Sequence, residues 1–217
     1  MNNKQITDLL HSSDILIRNS ISDGEISGRV SAYGYDAEKL NEGLTLLEEA
    51  ETLNKDQNVQ YAEQYEATQK ANEMIENFDE TYALHRDLAR AMFQDEAGYW
   101  EMLHLAGRRK TRKSEWLRKA RDFYSNIKEH EELLNRMSPL GFTTEYLDSR
   151  LAQLDAIEEA MREQVREAGE AQQATVDRDK KIDELQDWVN IYKNVAKLAL
   201  MDKPQLLEKL GLLVRSE

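Results

Sequence analysis

The chain has 217 residues, of which 40% are hydrophobic and 33% charged, and its 29 basic and 42 acidic side chains give a net charge of −13. With two prolines, nine glycines and many Glu, Lys, Ala and Leu residues, this composition favours long helices over sheets. The absence of cysteine excludes disulfides and thiolate metal sites, and the acidic balance disfavours nucleic acid as a partner.

The N-terminal part predicts a helix from about residue 5 to residue 32, followed by a turn. Ser22-Asp23-Gly24-Glu25 has the pattern of a capping box, which predicts a break in this helix near Ile21. In Tyr33-Gly34-Tyr35-Asp36 the glycine can take the left-handed conformation that ends a helix, and Asp36 can cap the next one. Tyr35 is then expected to pack on Leu40 as a hydrophobic staple.

A long helix is predicted from residue 36 to residue 94, because no proline interrupts the helical pattern there. A short helix follows, beginning near Asp95 and ending at Gly107. A straight helix of this length would span about 90 Å and make the molecule a rod. A break near residues 54–58 would instead fold the chain into a compact bundle, and the lack of proline favours the rod.

The same pattern recurs in the second half of the chain at an ungapped offset of 107 residues. This shift carries Gly34, Leu40, Leu44, Leu47, Thr68 and Ile75 onto Gly141, Leu147, Leu151, Leu154, Thr175 and Ile182. Helical sequences also match by chance at Leu, Glu and Ala, but one register sustained this far favours a duplication. We therefore predict two tandem repeats, residues 1–107 and 108–217, packed as one unit.

The second repeat predicts the same order of elements. A helix from about residue 112 to residue 138 is expected to continue unbroken through Glu129 to Glu132. The turn Leu140-Gly141-Phe142-Thr143 precedes a long helix from residue 143 to residue 201, with Gly169 as its weak point. Asp202 is expected to cap a short final helix that stops at Gly211. The predicted fold is all-α: an elongated antiparallel bundle of four main helices with short terminal helices.

The middle of both long helices is polar where their ends are apolar, which suggests a candidate ligand site. Its candidate residues are Gln57, Tyr61, Tyr65, Thr68, Gln164, Gln172 and Thr175. Buried polar groups need partners, so these side chains could bind a small polar ligand. The alternative is a solvated waist where two helices cross, and this simpler interpretation is favoured.

No catalytic motif, phosphate-binding loop or cofactor signature occurs, so we predict a protein that is not an enzyme and binds no cofactor. Glu101-x-x-His104 has the spacing of carboxylate metal sites in bundles, but such pairs arise by chance in an acidic chain and Gly211 occupies the repeat position of His104. We therefore predict no metal. His85 falls on an apolar stripe, which favours a packed, hydrogen-bonded core histidine.

A basic cluster stands out from the acidic chain at the junction of the repeats. Around Trp116 it comprises Arg108, Arg109, Lys110, Arg112, Lys113, Arg118, Lys119 and Arg121. It could dock an anionic partner, or its cations could pair with acidic residues of neighbouring helices. The second interpretation is favoured.

Several segments resemble a family of bacterial all-helical proteins of uncharacterised function with two tandem helical-hairpin repeats. They are the Tyr-Gly-Tyr-Asp-x-Glu turn from Tyr33, Gly-Arg-Arg-Lys from Gly107, the Gln-Ala-Thr segments, and the closing Pro-Gln-Leu-Leu-Glu-Lys-Leu-Gly from Pro204. The resemblance covers nearly the whole chain and implies the fold, but no activity or ligand.

The function expected from the sequence is that of a non-enzymatic interaction or scaffold protein. We expect it to bind a protein partner or itself, as a homodimer, because a short helix cannot cover the full apolar stripe of a long one. No run of eighteen apolar residues occurs, so neither a membrane nor nucleic acid is an expected partner, and a cytoplasmic location is predicted. The alternative is a bundle that binds a small polar ligand or a metal ion at its polar layer.

Overall fold

The computed structural model describes residues 1–107 and 112–212. Its helices are α1 (Asn3–Ser22), α2 (Gly24–Ser31), α3 (Ala37–Met92), α4 (Ala97–Met102), α5 (Lys113–Glu129), α6 (Glu131–Met137), α7 (Thr144–Ala199) and α8 (Pro204–Lys209), with a 3₁₀ turn over Ser138–Leu140. No strand occurs among the described residues. The predicted all-α class is confirmed.

The two long helices are continuous, and each has 56 residues. Neither is interrupted at residues 54–58 or at Gly169, as the absence of proline predicted. α3 and α7 pack against each other. They are antiparallel, since Glu49 pairs with Lys181 while Gln57, further along α3, meets Thr175, which lies earlier in α7.

Two compact units divide the chain, and each contains residues of both repeats. Unit 1 comprises Met1–Ala62 and Gly169–Glu217, and unit 2 comprises Glu63–Ala168. Unit 1 therefore contains α1, α2, the first half of α3, the second half of α7 and α8. Unit 2 contains the remaining half of each long helix with α4, α5 and α6. These units differ from the predicted repeats 1–107 and 108–217, because half of each long helix packs with the other repeat.

The core of unit 1 is mainly aliphatic, with one aromatic layer. Leu16, Ile17, Leu47 and Leu185 are completely buried in it. The Tyr35 ring packs 4.8 Å from that of Tyr192 and 5.5 Å from that of Trp188. Trp188 in turn lies over Gly43, where a Cβ atom would come within 2.4 Å of the indole ring. The glycine therefore leaves room for the indole.

The core of unit 2 uses aromatic residues at equivalent positions. Phe123 and Tyr124 take the repeat positions of Leu16 and Ile17, and both are completely buried. The Phe78 ring lies 5.7 Å from the Tyr124 ring and 5.9 Å from the Trp116 ring. The repeat register therefore extends through buried positions before the turn.

Both predicted turns are confirmed. Gly34 and Gly141 have φ angles of +85° and +97°, the left-handed conformation that glycine adopts without strain. Asp36 accepts a hydrogen bond from the Lys39 amide at 3.0 Å, and Thr143 accepts one from the Tyr146 amide at 3.2 Å.

The predicted break in the N-terminal helix is confirmed, since α1 ends at Ser22 and α2 begins at Gly24. Asp23 caps α2 by accepting hydrogen bonds from the amides of Glu25 and Ile26. The unbroken helix predicted through Glu129 to Glu132 is wrong, because His130 separates α5 from α6 at the repeat position of Asp23. Since His130 makes no side-chain cap, packing on both sides of the break has to hold it.

The start of α8 also differs. Lys203, rather than the predicted Asp202, precedes it as the N-cap. Asp202 instead accepts a hydrogen bond from Arg29 Nη1 at 2.7 Å, so its carboxylate joins α2 to the segment between α7 and α8.

Candidate functional site

The predicted polar layer is hydrogen-bonded internally within unit 1. Gln57, 9% exposed, donates from Nε2 to Thr175 Oγ1 at 3.5 Å. Its Oε1 accepts from Nη1 of the buried Arg178 at 2.9 Å, and Arg178 also pairs with Asp179. Both ends of the Gln57 amide therefore have partners within the protein, and no ligand is needed to satisfy them.

Unit 2 contains the counterpart of this contact, with the repeats exchanged. Gln164 Nε2 donates to Thr68 Oγ1 at 3.4 Å. Gln164 holds the repeat position of Gln57, and Thr68 that of Thr175. Both bonds are at the long end of the hydrogen-bond range, so each contributes modestly to stability.

The other three predicted members of the layer lie on the surface. Tyr61 is 62% exposed, Tyr65 is 66% exposed, and Gln172 is exposed too. These three candidates therefore lie apart from the Gln–Thr contacts, because a helix with a narrow polar seam turns their positions away from its partner. The structure thus assembles two separate Gln–Thr pairs rather than one seven-residue site.

Glu101 lies near the end of α4, and His104 follows this helix. Glu101 is exposed, and His104 Nε2 lies 2.9 Å from Asp122 Oδ2 in a hydrogen bond or ion pair. The described part of the chain holds no group of three or more His, Asp or Glu side chains placed to share a metal ion. His104 instead joins the segment after α4 to α5.

The described members of the basic cluster are engaged by neighbouring groups. Lys113 donates to Asn72, Arg118 pairs with Asp122, Lys119 with Glu115, and Arg121 with both Asp155 and Glu158. Trp116 Nε1 donates to the buried Asp79 at 2.8 Å. These contacts agree with the favoured interpretation, in which the cations of the cluster pair with acidic residues of the protein itself. Arg108, Arg109 and Lys110 lie outside the described residues.

His85 joins two tyrosines inside unit 2, as a packed and hydrogen-bonded histidine was predicted to do. Its Nδ1 lies 2.9 Å from the Tyr124 hydroxyl, and its Nε2 lies 3.3 Å from the Tyr146 hydroxyl. Burial, assisted by the charge of Arg150, lowers the pKa of His85 to about 4. Burial also raises the pKa of Tyr124 well above its usual value. His85 and Tyr124 are therefore neutral at pH 7, and the hydrogen bonds of His85 join α3, α5 and α7.

Arg150, a residue that the sequence analysis did not single out, lies beside this network. It is only 7% exposed, and its guanidinium carbon lies 3.8 Å from the centre of the Phe78 ring and 5.5 Å from that of Tyr124. Nη1 donates to Gln153 Oε1 at 2.8 Å, and Nη2 donates to the Phe78 carbonyl oxygen at 3.3 Å. Nε is buried with no hydrogen-bond acceptor.

A signal for Arg150 was available in the sequence. It follows Leu147 by three residues and precedes Leu154 by four, which places a charge on the buried stripe of α7. Its repeat counterpart is Gly43, so charge and size differ at this position, whereas the stripe residues Leu147 and Leu154 match leucines in the first repeat. The groove around it could not be predicted, because that groove depends on how α3 and α7 pack.

The fold defines this chain as an all-α protein with two long antiparallel helices and two compact helical units. Searches of protein-family models, curated proteins and solved structures found no match. The resemblance to a bacterial helical family stays a prediction. In residues 1–107 and 112–212, no helix has an apolar stretch long enough to cross a membrane.

Proposed function

We propose that this chain is a non-enzymatic helical interaction protein that associates with a second copy of itself. The observation that carries this proposal is an aliphatic surface repeated in both units. Leu84 of α3 is 70% exposed, and Ile191, its repeat counterpart in α7, is 59% exposed. The corresponding pair four residues later, Leu88 and Val195, is partly buried against the two cores.

In unit 1 this surface continues along α7. Ile191, Val195 and Leu198 are spaced by four and three residues, which places them on one face of the helix. Leu198 is 53% exposed. Burying aliphatic side chains contributes about 25 cal/mol for each square ångström removed from water, so covering this face would favour association.

A second copy of the chain suits this surface because it occurs twice. Symmetric dimers bury the same patch of each subunit, and aliphatic patches are self-complementary in chemistry. The net charge of −13 opposes the approach of two copies. Salt screens such repulsion, so association should strengthen between low and physiological ionic strength.

The ligand-binding alternative has less support. Gln57, Thr68, Gln164 and Thr175 satisfy one another in pairs, and three other predicted members of the layer are exposed. We assign the layer to helix pairing.

The test is the molar mass in solution, measured by light scattering over a hundredfold range of concentration. The wild type should form dimers, while Leu84→Glu and Ile191→Glu should shift the equilibrium to monomer by placing a charge in the contact. Asn190→Glu is the control, because it adds the same charge at an exposed position next to Ile191. A wild type that stays monomeric at every concentration, or glutamate variants that dimerise normally, would refute the proposal.

A further inference from the structure

We propose that the groove around Arg150 in unit 2 binds a small carboxylate that carries an apolar body. The groove has a volume of about 300 Å³ and lies between the second half of α3 and the first half of α7. It is lined by Met74, Asn77, Phe78, Arg150, Gln153, Ala156 and Ile157. This site is distinct from the aliphatic surface on which the proposed function rests.

Arg150 carries a buried charge without an ion-pair partner. Its guanidinium hydrogen-bonds neutral groups, namely the Gln153 amide oxygen, the Phe78 carbonyl oxygen and the Tyr124 hydroxyl, and its Nε has no acceptor. No carboxylate of the described residues lies at ion-pair distance from it, in contrast to Arg178, the buried arginine of unit 1, which pairs with Asp179. Burying a charge without an ion-pair partner is costly, and an anion bound in the groove would offset this cost.

Packing alone does not account for an arginine at this position. The guanidinium does stack on Phe78, and such cation–π contacts are stabilising. In unit 1, however, the equivalent position is Gly43, and the equivalent space is filled by the neutral Trp188 of the facing helix. The fold therefore fills this space without a charge in one unit, whereas Arg150 adds hydrogen-bond donors beside a groove in the other.

The lining of the groove indicates the class of ligand. A guanidinium presents two parallel donors that match the two oxygens of a carboxylate. Among the described residues, Arg150 is the only charged one that lines the groove, so a singly charged anion is matched better than a phosphate dianion. Met74, Phe78 and Ile157 provide apolar contacts for a short hydrocarbon body, and Asn77 and Gln153 add uncharged amides to the lining.

The size of the groove limits the apolar body to a few carbons. Small-molecule pockets begin at about 300 Å³, and this groove is at that lower limit. The carboxylate could belong to a free small molecule or to an acidic side chain with its own methylenes on a second copy of the chain. Both sources present the same chemistry to Arg150.

The experiment is a calorimetric titration of the full chain with hexanoate, and with hexanol and inorganic phosphate as comparison probes. We expect hexanoate to bind most tightly, because hexanol lacks the charge and phosphate lacks the apolar body. Arg150→Met keeps the stack on Phe78 and removes the charge and the donors, so it should weaken hexanoate binding at least tenfold, the equivalent of about 1.4 kcal/mol. Arg150→Lys keeps the charge without the planar donor pair and should be intermediate.

Two further variants make the result interpretable. Ala156→Leu fills the groove and leaves Arg150 in place, so it should also weaken binding, and it serves if Arg150→Met does not fold. Arg162→Met is the control, because Arg162 lies on the same helix but pairs at the surface with Glu158 and Glu159. It should bind hexanoate like the wild type.

Light scattering during the titration separates the two sources. Binding with no change of molar mass indicates a free carboxylate, whereas hexanoate that dissociates an assembly indicates an acidic side chain of a second copy. Either result supports a carboxylate at Arg150. The inference is overturned if folded wild-type protein binds no hexanoate, if phosphate or hexanol binds as well, or if Arg150→Met and Ala156→Leu bind hexanoate as tightly as the wild type.

Discussion

Replacing Gly43 by alanine tests how closely the aromatic layer of unit 1 is packed. Gly43 lies inside α3, where alanine is intrinsically favoured over glycine by about 1 kcal/mol. The added methyl group would nevertheless meet the Trp188 ring, with its Cβ 2.4 Å from Cη2, 2.5 Å from Cζ2 and 2.7 Å from Cζ3. These distances are shorter than real carbon contacts allow, so either the ring or the helix has to move.

The indole has little room to move. Its ring centre lies 5.5 Å from that of Tyr35 and 5.1 Å from that of Tyr192, and Trp188 is 8% exposed. Overpacking of this kind costs about 1–3 kcal/mol, or more where the neighbours are rigid. After the gain in helix propensity is subtracted, Gly43→Ala should lower the free energy of unfolding by up to about 2 kcal/mol. For a chain of this size the melting temperature should fall by up to about 8 °C.

Gly169→Ala provides a control of opposite sign. Gly169 also lies inside a long helix, but a Cβ atom added there would meet nothing within 4 Å. Only the propensity gain remains, so this variant should be more stable by up to about 1 kcal/mol. The assay is urea denaturation followed by circular dichroism, with the two variants and the wild type measured in parallel.

A second background, Trp188→Leu, tests whether the Trp188 ring causes the loss. In Trp188→Leu protein the indole is absent, and the Gly43→Ala change should become neutral or stabilising. The reasoning is refuted if Gly43→Ala stabilises the wild-type chain as Gly169→Ala does. It is also refuted if the loss persists at full size in the Trp188→Leu background.

Three further predictions concern the histidine network, a buried hydroxyl and a helix cap. His85 has a pKa of about 4 in the folded chain and about 6.5 in the unfolded chain, so the unfolded state binds the extra proton and the free energy of unfolding should fall as the pH drops from about 6.5 to about 4. Urea denaturation at pH 7.5 and pH 4.5 should show that His85→Gln loses less stability over this range than the wild type. An equal loss of stability in the two proteins would contradict this. Tyr192→Phe removes the hydroxyl that donates to Ser20 in the core of unit 1 and should cost about 1 kcal/mol by chemical denaturation, so an unchanged midpoint would exclude a stabilising bond. Asp23→Ala removes the acceptor of the Glu25 and Ile26 amides and should lower the free energy of unfolding by about 1 kcal/mol. His130→Ala changes the repeat position that lacks a side-chain cap, so it should cost less when both variants are measured by chemical denaturation.

The residues of the candidate site differ in how well their surroundings can be predicted from the sequence. His85 was recognised from its place on an apolar stripe, and its hydrogen bonds to Tyr124 and Tyr146 agree with that prediction. Tyr61 and Tyr65 were placed in the polar layer from their spacing, but both are exposed. A helical period narrows the position of a side chain to a broad face, and only the partner helix decides which edge of that face is covered.

The local elements of this protein can be predicted from its amino-acid sequence. The left-handed glycines at Gly34 and Gly141, the caps at Asp36 and Thr143 and the uninterrupted long helices all follow from short-range preferences of the backbone. The ungapped repeat also determined which positions would be buried, since Leu16 and Phe123, or Leu47 and Leu154, share one place in the pattern.

Which halves of the long helices share a core depends on how the helices pack and could not be predicted from the sequence. The repeat pattern is equally satisfied when a long helix packs on its own repeat or on the other, because both present apolar residues at the same spacing. The structure combines the first half of α3 with the second half of α7, which sets Trp188 over Gly43 in unit 1 and leaves a groove beside Arg150 in unit 2. The physical reason is that side-chain volumes have to complement one another across the interface, a condition on pairs of distant residues that no local pattern contains.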